Sequence, residues 1–428
     1  MLYSSVQALT VPLDGITVST LSVQWGQKSD IVQHYVNLLK NETVLRRLSL
    51  IQLISYFGAW FSNVAIYTLL VQLDVSAFVI ALVASLYFLP GVLQAPVSGV
   101  LIDKFSPKKL MLFLLSLQVL STFLLLLITS VQWLWLLFIL IFIRMGASSF
   151  YFTIEMSLLP KLLEGKSLQY ANEIHSIIWS LSYTLGMAIS GFMVYKLGVD
   201  VAFIIDGLLF VLAFLMLLNL HFDITFEKAQ ESFLYTFVEG ISYLKENTKI
   251  IHLILIHASV GFTVFDALVT LMAKEYYMSL LAIPLALGIM HATRASALVL
   301  GPILLGKWIQ DSRLSYLFLV QGMAIIIWSV AVENFYLSLL GSFMAGFATT
   351  TLWSYTYTLI QKHTEKKFYG RVVAYNDMVF LLTGALSSLL VGVLIEAGWS
   401  IAAVLATLGC AFFFSAVYFT WIRRRYNV

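Results

Sequence analysis

The chain has 428 residues, 60% of them hydrophobic and 11% charged, with a formal net charge of +3. Soluble domains carry about 25% charged residues and roughly 45–50% apolar ones, so a water-soluble enzyme, a nucleic-acid binder and a disordered chain are all excluded. The single cysteine, Cys410, can neither close an intramolecular disulfide nor build a thiolate metal site.

A spanning helix needs about 20 apolar residues to cross about 30 Å of hydrocarbon. The chain divides into twelve such units behind a polar head, which predicts an all-α membrane protein. Residues 1–30 lack a basic region ahead of an apolar core, so they do not read as a signal peptide; a poorly ordered tail or an overlong start is expected. Residues 31–47 place apolar side chains at helical spacing beside Lys40, Arg46 and Arg47, the pattern of an amphipathic lead-in helix on the membrane surface. The spans are expected at 48–73, 77–101, 108–130, 133–157, 171–195, 199–220, 250–273, 281–306, 314–332, 335–360, 372–395 and 399–422. Pro90 and Pro96 fall inside the second, where neighbouring helices must satisfy the freed carbonyls.

Lys and Arg sort cleanly onto alternate connections. One face collects Lys104, Lys108, Lys109, Lys161, Lys166, Lys228, Lys245, Lys249, Lys307, Arg313, Lys362, Lys366, Lys367, Arg371 and Arg423 to Arg425; the other holds Lys196 and Lys274. The positive-inside rule then puts both termini in the cytoplasm and requires an even number of spans. The longest connection falls after the sixth span, where Phe226–Lys249 alternates charged and apolar residues as an amphipathic surface helix would. The expected organisation is a tail with lead-in helix (1–47), a six-helix half (48–220), a linker (221–249) and a second six-helix half (250–428). The halves echo one another. Leu159-Pro160-Lys161 followed by Tyr170-Ala171-Asn172-Glu173 is matched by Ile360-Gln361-Lys362 followed by Ala374-Tyr375-Asn376-Asp377. Such parallel repeats mark two-halved secondary transporters.

Between the second and third spans stands Gly99-Val100-Leu101-Ile102-Asp103-Lys104-Phe105-Ser106-Pro107-Lys108-Lys109-Leu110. It resembles the signature loop of the major facilitator superfamily, with Ser106-Pro107 where that pattern usually has Gly. The resemblance implies twelve transmembrane helices in two pseudo-symmetric six-helix halves. It also implies a gate latch of Gly99, Asp103, Lys104, Lys108 and Lys109, with Glu155 and Arg371 as further members. Ala202 to Phe210, Leu168 to Asn172 and Tyr369-Gly370-Arg371-Val372 are similar to the branch of macrolide-efflux proteins and the enterobactin exporter, which implies proton-driven export of amphipathic or aromatic compounds. That branch often has Gly-Asp in the first span; here the pair is Gly58-Ala59.

Ionisable residues at mid-span are costly and face an interior or a cavity. Arg144 lies midway along the fourth span, ahead of Gly146-Ala147, and resembles a family motif tied to proton handling. Asp266, His291 and Arg294 sit at similar depths in the seventh and eighth spans, where they could form a titratable pair or a fixed ion pair. Arg144, Asp266, His291 and Arg294 are therefore the candidates for coupling or substrate contact, and the proton-responsive element is expected at Asp266. Asp206, in a peripheral span, reads as a structural hydrogen bond, and Glu173 and Asp377 as helix-start residues. Asn63, Tyr151, His257, Trp353 and Tyr357 are expected to line the substrate cavity, the last two in a tenth span rich in hydroxyl groups. No cofactor and no metal are expected: the ligand spacings are wrong, and no Walker loop or catalytic motif appears.

The function expected is a monomeric secondary transporter in a bacterial cytoplasmic (inner) membrane. It would move a small molecule by alternating access, with a proton as coupling partner, the lipid bilayer as environment and no nucleic acid. Its rivals are uptake or flipping of a nutrient, metal chelate or lysophospholipid, and a non-transporting receptor or scaffold.

Overall fold

The computed structural model describes residues 33–95, 105–221, 233–306 and 308–427, with the side chains of 233–237 excepted. Twelve helices among them are long and apolar enough to cross a membrane. In chain order they are span 1 (Thr43–Gln72), span 2 (Ala77–Ala95), span 3 (Pro107–Leu127), span 4 (Val131–Leu162), span 5 (Gly165–Leu197) and span 6 (Val199–Leu218). The second six-helix half holds span 7 (Thr248–Tyr277), span 8 (Ile283–Leu305), span 9 (Leu314–Ala331), span 10 (Phe335–His363), span 11 (Lys366–Glu396) and span 12 (Ile401–Tyr426). The described residues contain no strand, as a chain that must satisfy its backbone inside lipid requires of anything but a closed barrel.

Several helices outrun the apolar stretch the sequence marks, chiefly at the face that carries both termini. Span 5 begins at Gly165 rather than near 171, and span 11 near Lys366 rather than 372. The lead-in helix covers 33–41 and stops at Glu42, whose backbone is non-helical. Arg46 and Arg47 therefore belong to span 1, where Arg47 donates to the carbonyl of Asn219 at the end of span 6. The linker helix occupies Phe233–Glu246; the earlier part of the expected surface helix lies outside the described residues, as do residues 1–30.

Each surface helix docks on the start of the fifth helix of a half. Tyr35 of the lead-in helix donates to Glu173 of span 5 (2.7 Å) and meets the Tyr170 ring edge-on. Glu239 of the linker helix pairs with Arg371 of span 11 (2.6 Å) and with Lys367 (3.2 Å). Hydrogen bonding from Lys367, helped by Arg371, holds the Glu239 carboxyl below its usual range.

Spans 5 and 8 pack together along one seam between the halves, and spans 2 and 11 along the other. At the face away from the termini the first seam closes to backbone contact: a Cβ on Gly191 would lie 2.6 Å from the carbonyl oxygen of Pro284 and 2.8 Å from Gly288 Cα. Only glycine permits that approach. Across the other seam Lys274 pairs with Asp74 (2.7 Å) and donates to the carbonyl of Val75, while the amide of Phe78 donates to Glu396. The far face is thus tied shut.

Span 7 is broken. A helix over Thr248–Ala258 passes into a tight turn over Ser259–Thr263 and resumes at Asp266–Met272. Its counterpart in the repeat, span 1, runs as one helix over Thr43–Gln72.

Candidate functional site

A cavity of about 330 Å3 lies between the halves, at mid-membrane and toward the face of the termini. Most of its wall comes from the first half. Tyr56, Trp60 and Asn63 project from span 1 at positions i, i+4 and i+7, and His175 and Trp179 from span 5 at i and i+4, each set sharing one helix face. Trp60 lies 4.5 Å from Tyr183 and 6.3 Å from Trp179, centroid to centroid. His175 is fixed by Gln52, whose Nε2 stands 2.6 Å from Nδ1, and packs on Phe152. Leu381 of span 11 closes the wall from the second half.

Among the described residues, one formally charged side chain lines this cavity: Arg144 of span 4. Its guanidinium pairs with Asp206 of span 6, Nη2 to Oδ2 at 2.5 Å, with both side chains almost wholly buried. Ser62 of span 1 donates to the same carboxylate oxygen, and the ring of Phe210 lies 5.6 Å beneath the guanidinium. The other oxygen, Oδ1, is buried without a hydrogen-bond partner. It rests against Gly58, where a Cβ would come within 2.5 Å of it. A carboxylate from span 6 thus reaches span 1 at Gly58. Asp206 is the ion-pair partner of Arg144.

The second-half candidates arrange differently. Arg294 donates to the carbonyl of Thr263 at 2.5 Å and lies over the Phe265 ring at 5.0 Å. It therefore caps the backbone that the break in span 7 leaves open, which is the ordinary remedy for an orphaned helix-end carbonyl. Asp266 stands in the first turn of the resumed helix, favourably placed at the positive end of its dipole. The ion pair expected between Asp266 and Arg294 is absent among the described residues. His291 is buried, and neither ring nitrogen has a hydrogen-bond partner. Both Asp266 and Arg294 nonetheless lie within electrostatic reach of Tyr183 across the seam.

Of the five residues expected at the cavity, Asn63 lines it. Tyr151 packs inside the first half beside Phe150 and Ile154, while Arg144, Met145, Ser148 and Phe152 of the same helix border the cavity. His257, Trp353 and Tyr357 form a separate cluster in the second half. His257 is fully buried, 2.9 Å from the Thr356 hydroxyl, and stands 5.4 Å from Trp353 and 5.5 Å from Tyr357, centroid to centroid. Tyr56, Trp60, His175 and Trp179 were legible as aromatic stripes at helical spacing, a signal that a search for hydroxyl-rich spans passes over.

Of the latch, Gly99, Asp103 and Lys104 lie outside the described residues. Lys108 donates to the carbonyl of Leu218 at the end of span 6 (2.9 Å), so it caps a helix rather than meeting Glu155. Lys109 is exposed. Glu155 is buried and makes no ion pair among the described residues. Arg371 holds the linker helix through Glu239. No cluster of three or more His, Cys, Asp or Glu that could hold a metal occurs among the described residues.

The sequence profile described as Major Facilitator Superfamily matches residues 48–331. The chain belongs to that superfamily. With twelve helices long and apolar enough to cross a membrane among its described residues, it is a multi-pass membrane protein. A curated relative, described as the uncharacterized MFS-type transporter YfiS of Bacillus subtilis (strain 168), is 29% identical over 218 residues, 49% of this chain and 51% of the relative. The chain thus spans about half the length of the curated relative it matches. Among solved structures, a D-xylose–proton symporter superposes with a TM-score of 0.71 at 10% identity, over 88% of this chain and 97% of its own. The nucleoside transporter NupG gives 0.68 at 14% identity, over 90% and 99%. The POT family transporter PepTSo gives 0.67 at 12%, over 90% and 98%. At those identities the likeness is one of fold.

Proposed function

We propose that this transporter moves a small amphipathic, aromatic molecule by alternating access through the cavity between its halves, with a proton as the coupling ion. The observation that carries this reading is the cavity itself: an aromatic wall of Tyr56, Trp60, Phe152 and Trp179 around one cation. Flat apolar faces bind planar rings, and a single buried charge orients a polar end. With the far face tied by Lys274–Asp74 and the Gly191–Gly288 contact, the arrangement is that of a carrier facing the side of its termini, the cytoplasm on the positive-inside pattern. Export follows from the resemblance to the macrolide-efflux and enterobactin-exporter branch.

Arg144 with Asp206 is the first candidate for coupling, and Asp266 with His291 and Arg294 the second. The loop of Gly99, Asp103, Lys104, Lys108 and Lys109, together with Glu155 and Arg371, is proposed to latch the termini face in the opposite state. Counterflow of a panel of amphipathic aromatic compounds in proteoliposomes tests the reading. A transporter accelerates exchange of at least one of them and Trp60→Ala slows it. A receptor or scaffold on this fold exchanges none.

A further inference from the structure

The Arg144–Asp206 pair poses a problem for any negatively charged cargo. The cavity's one cation is already neutralised from behind, by a carboxylate that does not itself line the wall. A second carboxylate arriving from the cavity would place two negative charges on one guanidinium whose own side chain is almost wholly buried. Two carboxylates sharing one cation raise each other's affinity for a proton. One of them must take a proton, and the geometry says which. Arg144 and Ser62 both address Oδ2 of Asp206, while Oδ1 faces Gly58 with no donor at all. A proton on Oδ1 displaces no existing hydrogen bond. Arg144 Nε is likewise buried without a hydrogen-bond partner, and so is Nε1 of Trp60, another residue of the cavity wall: donors for which the described residues supply no acceptor.

Among the described residues around Asp206 no second carboxylate comes within ion-pair distance of Arg144. Span 1 presents Gly58 and Ser62, span 3 presents Phe123 beside Gly207, and span 4 presents Arg144. From span 2, Tyr87 lies within electrostatic reach of Arg144, Asp206 and, across the seam, Asp266. Span 5 contributes Tyr183 near Trp60 and His175, which Gln52 holds. Among the described residues Arg144 is the only cation within ion-pair distance of Asp206.

We propose that Asp206 is the proton-carrying group of this transporter and that an aromatic carboxylate binds Arg144 only as Asp206 takes up one proton. This rests on the cavity being the substrate site. The proton then travels in the same direction as the anion, so the pair makes the proton a companion of an anionic cargo, and antiport-driven export is left to ligands that carry no negative charge. Gly58 has a stated role in this scheme, as the residue that leaves room for the protonated oxygen.

The test uses the purified full chain in detergent with two probes, 1-naphthoate and its uncharged analogue 1-naphthylmethanol. Calorimetric titration in two buffers of different ionisation heat counts protons taken up on binding. We expect one proton per naphthoate and none per naphthylmethanol. Naphthoate affinity should fall about tenfold for each pH unit above the titration of Asp206, as linkage to one proton requires. Asp206→Asn should bind naphthoate with no proton uptake and no such pH dependence. Naphthoate binding to the unaltered protein without proton uptake overturns the proposal, as does unchanged uptake in Asp206→Asn. Because the first of these results needs no variant, a failure of Asp206→Asn to fold leaves the proposal open to refutation. Binding of neither probe overturns the cavity reading and this proposal with it; binding of naphthylmethanol alone overturns this proposal and leaves that reading standing.

Discussion

Each half of the protein buries one arginine, Arg144 in the first and Arg294 in the second, and the two halves use them in opposite ways. In the first half Arg144 meets Asp206 at 2.5 Å. In the second, Arg294 meets a backbone carbonyl, that of Thr263, at the same distance, and Asp266 sits at a helix start. The difference traces to the first helix of each half. Span 1 is unbroken and leaves no carbonyl for a cation to take; it contributes Gly58 and Ser62 to the Asp206 site instead. Span 7 breaks at 259–265, exposing both a carbonyl that attracts a cation and a helix end that attracts an anion. A charge in low dielectric takes the best partner its local backbone offers, so a repeated sequence pattern need not give repeated chemistry.

The sharpest way to break this comparison is to remove each arginine in turn. Arg144→Ala leaves Asp206 as an unpaired buried charge, a loss of about 3–5 kcal/mol, and should abolish transport. Arg294→Ala orphans one carbonyl, costing about 1–3 kcal/mol. Thermal unfolding in detergent should rank the two in that order; the reverse ranking would mean that the second half holds the critical pair. Gly58→Ala comes next. Its Cβ would press on Asp206 Oδ1 at 2.5 Å, an overpacking of about 1–3 kcal/mol, so a clear drop in melting temperature is expected, and Gly58→Ala should cost less on an Asp206→Ala background than on the parent.

Smaller again is Asp266→Asn. If its place is that of a helix-start residue, only a dipole contribution of about 0.3–1 kcal/mol is lost. Proton-driven accumulation in proteoliposomes should then survive, whereas Asp206→Asn abolishes it. Loss of coupling in Asp266→Asn would return the proton site to the second half. The least effect belongs to the far-face tie. Hydrogen bonding from Lys274 holds the Asp74 carboxyl below its usual range. The tie is therefore fully present above the ordinary carboxylate range and is lost as pH falls through the lowered value. Because the pair is exposed, Lys274→Met should change far-face accessibility only a few-fold. Cysteine labelling beside Asp74 measures it: acid should raise labelling of the parent protein and leave that of Lys274→Met unchanged.

Composition and periodicity determined the twelve spans and the two six-helix halves, because crossing about 30 Å of hydrocarbon imposes length and apolarity on every helix regardless of its neighbours. Local sequence likewise marked Arg144 as exceptional, since an ionisable group at mid-span is costly in any context. Its partner was beyond that reach. Asp206 lies 62 positions away, in a helix that reads as peripheral, and nothing in the spacing of either residue distinguishes an Arg144–Asp206 pair from an Asp266–Arg294 pair. The break in span 7, the packing of Gly58 on Asp206 and the aromatic wall from spans 1 and 5 all arise from how helices face one another. Partner choice in a low-dielectric interior depends on ångström distances between helices. Those distances exist only once the whole bundle has packed.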